Sequence, residues 1–401
     1  MHPPSPLILS AAIFFCFSPF SQGQDFEKPA ALSARAWWHD ADWLRTDLWQ
    51  VRDEIRVGDF TNHYVIDSVH GKFVAWSDQE LLARLKEIQA IHWLLAQGAA
   101  RTGGQGAVEV ATNKLTVVED LAKAPLATVL DVPRGARALI RRAGSFAREE
   151  RRHGTYNSGG PVRGLLGAND RKRTLAVKLE VDPYTDNELL QKELERVALI
   201  EALPDFGVGL LIPGNGLFSL LETGKESRMM DAYLAAPADL FVENRKTLRN
   251  EIGIPEALTM DFLALPFTTP AQQTILARAL GMLPTAKDRD LLVDLAAKST
   301  TREEFDFYRR AAELLAWYQK EREPIAKLET FRWLPIAVSA SGKRILPFAV
   351  DYGGWCADCG GTLSTFADVE SGDIVLVTGR LTERALQELK RREVEVITIK
   401  G

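Results

Sequence analysis

Two runs near the C-terminus, DIVLVTG at 373–379 and VEVITIK at 394–400, read as strands separated by the helical stretch LTERALQELKRRE. A crossover of that length cannot close an antiparallel hairpin. It predicts two parallel strands in one sheet, joined by a helix in a right-handed unit. Just before it, LPIAVSA at 334–340 and KRILPFAV at 343–350 flank Ser341-Gly342 and read as a hairpin. Residues 331–401 are therefore expected to form a small α/β subdomain.

Upstream the period changes. HYVIDS at 63–68 and GKFVAW at 71–76 read as a second hairpin, followed by a helix from about Asp78 to Gln97 with Gly98 as its stop. The stripe of that helix is Leu81, Leu85, Ile88, His92 and Leu95. Trp37, Ala41, Leu44, Leu48, Val51 and Ile55 fall at helical spacing, which predicts an amphipathic helix over 31–56. Residues 24–100 are read as an N-terminal α+β unit. Residues 101–161 combine Gly-rich breaks with a basic helix. Residues 162–330 read as a helical domain, with capping-box spacings at Thr185/Glu188 and Thr301/Glu304 and a helix opening at Pro270. The expected class is α+β, mostly helical, with an N-terminal hairpin-plus-helix unit and the C-terminal α/β subdomain.

The 401 residues are 46% hydrophobic and 26% charged, which are globular proportions. Leu7 to Phe17 is an apolar run too short to span a bilayer, and Ser21-Gln22-Gly23 places small residues at a cleavage site. Residues 1–23 are read as a signal peptide, although MHPPSP contributes no Lys or Arg. The expected location is the periplasm or cell envelope, or outside the cell. Cleavage would remove Cys16 and leave Cys356 and Cys359, so the cores rather than disulfides must hold the fold.

Four features are weighed for chemistry. GGWCADCGG at 353–361 places Trp355 before a CxxC, as in thioredoxin, but no Pro follows Pro347 to oppose it. Cys356 and Cys359 are read as a local disulfide, a thiol pair, a redox-active pair with Cys356 as nucleophile, or two ligands of an incomplete zinc set. Between Arg134 and Lys178 stand twelve Lys/Arg against three Asp/Glu. On a helical wheel Arg134, Arg137, Arg141, Arg148 and Arg152 share one arc, opposite Leu139, Ile140, Ala143, Phe146 and Ala147. That is the pattern of an interfacial helix facing an anionic membrane, or of a helix lying on an acidic surface. His39, His63 and His70, with Asp40, Asp42, Asp59 and Asp67, are close enough in sequence to suggest zinc, but no fixed ligand spacing supports it. Asp182, Asp186 and Glu188 lack the spacing of a calcium loop and read as helix caps.

VDPYTDNELLQKELERVA at 181–198, the preceding NDRKRTLAVKL, NHYVIDSVHGKF with ELLARLKEIQAI, and DIVLVTGRLTERALQELKRREVEVI resemble segments of a family of uncharacterised exported bacterial proteins. The resemblance spans most of the mature chain. It implies export and transfers no activity or catalytic residue. The CxxC stands outside that pattern.

No Walker A, GxSxG or strand-linked GxGxxG occurs, so neither a cofactor nor a metal is expected. The formal net charge of −5 argues against a general nucleic-acid binder. The leading expectation is a non-enzymatic exported protein that associates peripherally with an anionic membrane surface or an envelope protein. A thiol–disulfide protein is the first alternative, and a hydrolase with a site assembled from distant residues is the second. Trp37, Trp38 and Trp43, if exposed, would also suit an oligomer interface.

Overall fold

The computed structural model describes residues 27, 31–39, 41–58, 61–101, 170–198, 231–331, 333–355 and 369–399. Among them about 50% is helix and 22% strand. The chain is α+β, but the expectation that helices dominate it does not hold. Segments read as helical contain strands whose apolar residues pack on a sheet instead.

The clearest case is 31–56. Here β1 (Leu32–Ser33), the single-turn α1 (Ala34–Trp37) and the strands β2 (Trp49–Val51) and β3 (Glu54–Gly58) replace one helix. Ser33 caps α1 by accepting the amide of Ala36, and Asp53 accepts both the Ser33 hydroxyl and the Arg35 amide. Trp49 and Val51 are buried on either side of a partly exposed Gln50, so the period is two. Residues rich in β-branched and aromatic side chains fill a pleated surface better than a helix. Apolar residues three or four apart simply fit both patterns over so short a run.

The hairpin forms as read. β4 (Thr61–Ser68) pairs antiparallel with β5 (Gly71–Ala75), from Tyr64 opposite Ala75 to Ser68 opposite Gly71. Gly71 has φ 120°, a turn conformation open to glycine. β2 and β5 pair the same stretch of β4 and so flank it on opposite edges, while β3 and then β1 complete the five-stranded sheet. α2 (Asp78–Arg101) packs on it. It runs through Gly98 rather than stopping there, and its buried stripe continues through Ile91 and Leu94 while Leu95 is exposed.

α2 serves two cores. Its first half, through Leu81, Leu85 and Ile88, joins Trp37, Trp43, Trp49, Tyr64 and Ile66. Burial of Trp37 and Trp43 removes them from any surface, so the exposed-tryptophan interface is corrected. Its second half, through Ala90, Ile91 and Leu94, packs on α3 (Asp170–Lys178) and α4 (Glu188–Ala198).

The largest core joins helices to a second five-stranded sheet. α5 (Pro237–Lys246), α6 (Glu256–Leu263), α7 (Pro270–Gly281), α8 (Asp290–Ala297) and α9 (Arg302–Glu321) precede it. Thr269 and Gln272 form a complete capping box for α7. Thr301 caps α9 by accepting the Glu304 amide, but the Glu304 carboxylate turns to Thr300, so the box expected there is half formed.

The sheet runs β12 (Glu395–Thr398), β10 (Ile374–Val377), β8 (Arg344–Phe348), β7 (Leu334–Ser339), β6 (Ile325–Phe331). β12, β10 and β8 are parallel, with α10 (Glu383–Arg391) as the crossover between β10 and β12. β7 and β6 add antiparallel edges, and the boundary drawn at 330/331 falls inside β6. Fully buried Phe305, Tyr308, Phe348 and Val375 come from both helices and strands, so they share one core. Among the described residues no helix is long and apolar enough to cross a membrane.

Beyond the main ladder the β8–β10 pairing resumes as the short parallel pair β9 (Tyr352–Gly353) and β11 (Arg380–Leu381). Gly379 lies between, where an added methyl would overlap the backbone of Val350 and Asp351. At Gly353 the same methyl would meet only the tip of the Leu381 side chain, at 2.6 Å. Gly379→Ala should therefore lower stability by about 1–3 kcal/mol, and Gly353→Ala by less. Urea unfolding midpoints of the two variants check the order.

Candidate functional site

Asp351 and Thr378 follow the carboxyl ends of the parallel strands β8 and β10, with Arg380 just beyond. In open α/β sheets this is the end at which ligands are bound. Here it is occupied by the N-terminal unit. The Asp351 carboxylate accepts the amide of Asn62 at 3.1 Å and the amide of Asp78 at 2.9 Å, both through Oδ2. Its Oδ1 faces the Arg310 guanidinium at 3.6 Å. Arg310 also donates to the Thr378 hydroxyl at 3.0 Å, and Thr378 donates to the Val350 carbonyl.

Asp78 is the second carboxylate of the cluster. It accepts the Trp37 indole N–H at 2.8 Å on one oxygen. On the other it accepts the Asn62 amide group at 2.8 Å and the Tyr64 hydroxyl at 2.5 Å. The Arg380 guanidinium donates to the Trp37 carbonyl and stacks on the Trp37 ring, 4.2 Å from its centre. The Arg380 amide donates to the Asp351 carbonyl. Glu27 makes a further link, accepting the Trp355 amide and the Thr382 hydroxyl.

Burial pushes the Asp78 carboxyl up to about 7, and the neighbouring Asp351 charge pushes the same way. The bonds from Tyr64, Asn62 and Trp37 offset only part of this. Asp351 is also raised by burial, against Arg310 and the two amides. Tyr64 is held well above the ordinary phenol range by burial and by Asp78. A carboxyl near 7 can exchange a proton at neutral pH. Yet every carboxylate oxygen here already faces a donor from the chain. Two open grooves, of about 200 and 630 Å³, lie elsewhere: one is lined by Tyr318, Glu323 and Glu395, the other by Glu329, Arg344 and Glu370.

A second buried network lies where α2 meets the 181–187 loop. Arg84 bonds Glu80 at 3.0 Å, Glu87 at 2.8 Å and Asp186 at 2.5 Å. Glu87 also accepts the Thr185 hydroxyl and the Asn187 amide group. Thr185 is thereby drawn away from capping, and Asn187 takes that role by accepting the Leu190 amide at 3.2 Å. Asp182 accepts the Tyr184 amide across a tight turn. Burial raises its carboxyl to about 6, against Arg302. Burial also pushes Asp186 up, but Arg84 and Arg302 outweigh it and hold that carboxyl below the ordinary range.

The histidines do not converge. His39 is exposed with φ 54°. His63 bonds Thr61 and meets the Trp76 ring edge-on, whereas His70 packs on His92. Among the described residues no three His, Cys, Asp or Glu side chains form a group able to hold a metal. Arg134, Arg137, Arg141, Arg148, Arg152, Cys356 and Cys359 lie outside the described residues. Trp355 is buried at 2% exposure beneath Arg392, as a core residue.

Sequence reasoning missed Asp78 and Asp351 as a pair because 273 positions separate them. The one local signal was Asp351 directly after an apolar strand. No family model, curated protein or solved structure matches the chain.

Removing Arg84 would leave Glu87 buried with two neutral donors and, among the described residues, no cation bonded to it. Arg84→Met is expected to cost about 3 kcal/mol, far more than an exposed pair such as Lys320–Glu321. Chemical denaturation of the two corresponding variants at pH 7 reads the difference.

Proposed function

We propose that this is a non-enzymatic exported protein that attaches peripherally to an anionic membrane surface through the basic stretch 134–152. The observation that carries this reading is the division of positive charge. Of the twelve Lys/Arg between Arg134 and Lys178, four belong to α3. Two of these are buried and used by the fold: Lys172 bonds Glu195 at 2.7 Å, and Arg173 donates to the Leu234 carbonyl at 3.2 Å. The eight from Arg134 to Arg163 face only Glu149 and Glu150 in sequence, a net of 8 − 2 = +6 on a chain whose total is −5. Drawn on a helical wheel, the sequence places five of them on one arc opposite apolar residues, and an anionic surface offers each about 1 kcal/mol before screening. The satisfied donors around Asp78 and Asp351 also suit a structural rather than a catalytic role for that pair.

The chain from residue 24 should float with vesicles containing anionic lipid at low salt, and not with neutral vesicles or at high salt. Replacing Arg134, Arg137, Arg141, Arg148 and Arg152 by Gln should abolish flotation while leaving the unfolding midpoint unchanged. Absence of flotation under every condition would reject the membrane surface and turn the basic arc toward an acidic protein partner.

A further inference from the structure

We propose that Asp78 and Asp351 form a pH-sensitive latch that holds the N-terminal sheet unit on the carboxyl end of the C-terminal sheet in mild acid and loosens it above neutral pH. The geometry places one carboxylate on each side of the junction. Asp351 follows β8 of the C-terminal sheet, and both backbone amides it accepts belong to the other unit: Asn62 on β4 and Asp78 at the start of α2. Asp78 in turn gathers Trp37, Asn62 and Tyr64 from its own unit. The two acids therefore sit back to back, joined by the Asp78 amide.

Among the described residues the charged and titratable groups facing the pair are few. From β4 comes Tyr64, which stays neutral. From α9 comes Arg310, at 3.6 Å from Asp351. From β11 comes Arg380, whose guanidinium is committed to Trp37 rather than to either carboxylate. Glu27 lies farther along the same junction, bonded to Trp355 and Thr382. One guanidinium thus faces two carboxyls. With both ionised, a negative charge remains in a largely buried site; with one proton bound, Arg310 balances the rest. The Tyr64 hydroxyl can accept from a protonated Asp78, since a hydroxyl both donates and accepts.

The sign follows from the raised carboxyls. Asp78 is held near 7 in the closed junction by burial and by the Asp351 charge, and binds its proton less tightly once opening admits water and removes that charge. Its contribution is present while the opened form also holds the proton, and is lost as pH rises through about 7. Asp351 shifts in the same direction.

Amide hydrogen exchange on the full chain tests this, with rates corrected for the intrinsic effect of pH. Between pH 6 and pH 8 the amides of Asn62 and Asp78 should exchange roughly tenfold faster, while those of Ile336 and Ala337 on β7 keep their protection. Asp78→Asn should flatten the change, and Asp351→Asn, which removes the neighbouring charge but not the burial, should reduce it. Constant protection of Asn62 and Asp78 in the natural chain would overturn the latch, whether or not the variants fold. A pH response retained in full by either folded Asn variant would overturn it as well.

Discussion

The Asp351 carboxylate accepts the backbone amides of Asn62 and Asp78, and the seating of the N-terminal unit on the C-terminal sheet is built around those two bonds. The Asp78 amide opens a 24-residue helix, so the carboxylate also meets the positive end of the α2 dipole. From that anchor α2 extends roughly 36 Å, at about 1.5 Å per residue. That length lets one helix line the tryptophan-rich core at its start and the α3–α4 core at its end.

Both polar networks sit where separate parts of the chain meet. Buried charges are costly, and well-packed apolar groups often serve stability as well or better. What charges supply here is a defined geometry. Arg84 reaches Glu80, Glu87 and Asp186, and so ties the 181–187 loop to α2 in one register. Asp78 converges donors from Trp37, Asn62 and Tyr64, and so fixes α1, β4 and α2 together. An apolar contact tolerates sliding; a carboxylate with three donors does not.

The elements legible in the sequence were those with a strong local pattern. Ser68–Gly71 and Ser339–Arg344 close hairpins because alternating apolar runs flank turn residues. Pro270 behind Thr269 opened α7 as read. The failures were local ambiguities settled by distant partners. Val51 and Ile55 fit a helix stripe in isolation, but Val51 pairs with Ile66 on β4 and Ile55 with Leu32 on β1. Thr185 has the sequence of a cap, yet Glu87, nearly a hundred positions away, takes its hydroxyl and leaves the cap to Asn187. At the site, Asp78 reads as an ordinary acidic residue in a first helical turn, and Asp351 as the end of a strand.

The sequence by itself determined both hairpins, the parallel crossover at the C-terminus and the uneven distribution of positive charge, but not the balance of helix and strand, which it read as mostly helical. These follow from periodicity and composition, which act over a few residues. Only the tertiary structure decided that α9 and the C-terminal strands share a core, that Trp37 and Trp43 are buried, and that Asp78 and Asp351 stand on either side of one junction. Such pairings depend on which surfaces remain to be buried after local elements form. A carboxyl's proton affinity depends in turn on the dielectric and the charges that those pairings bring to it.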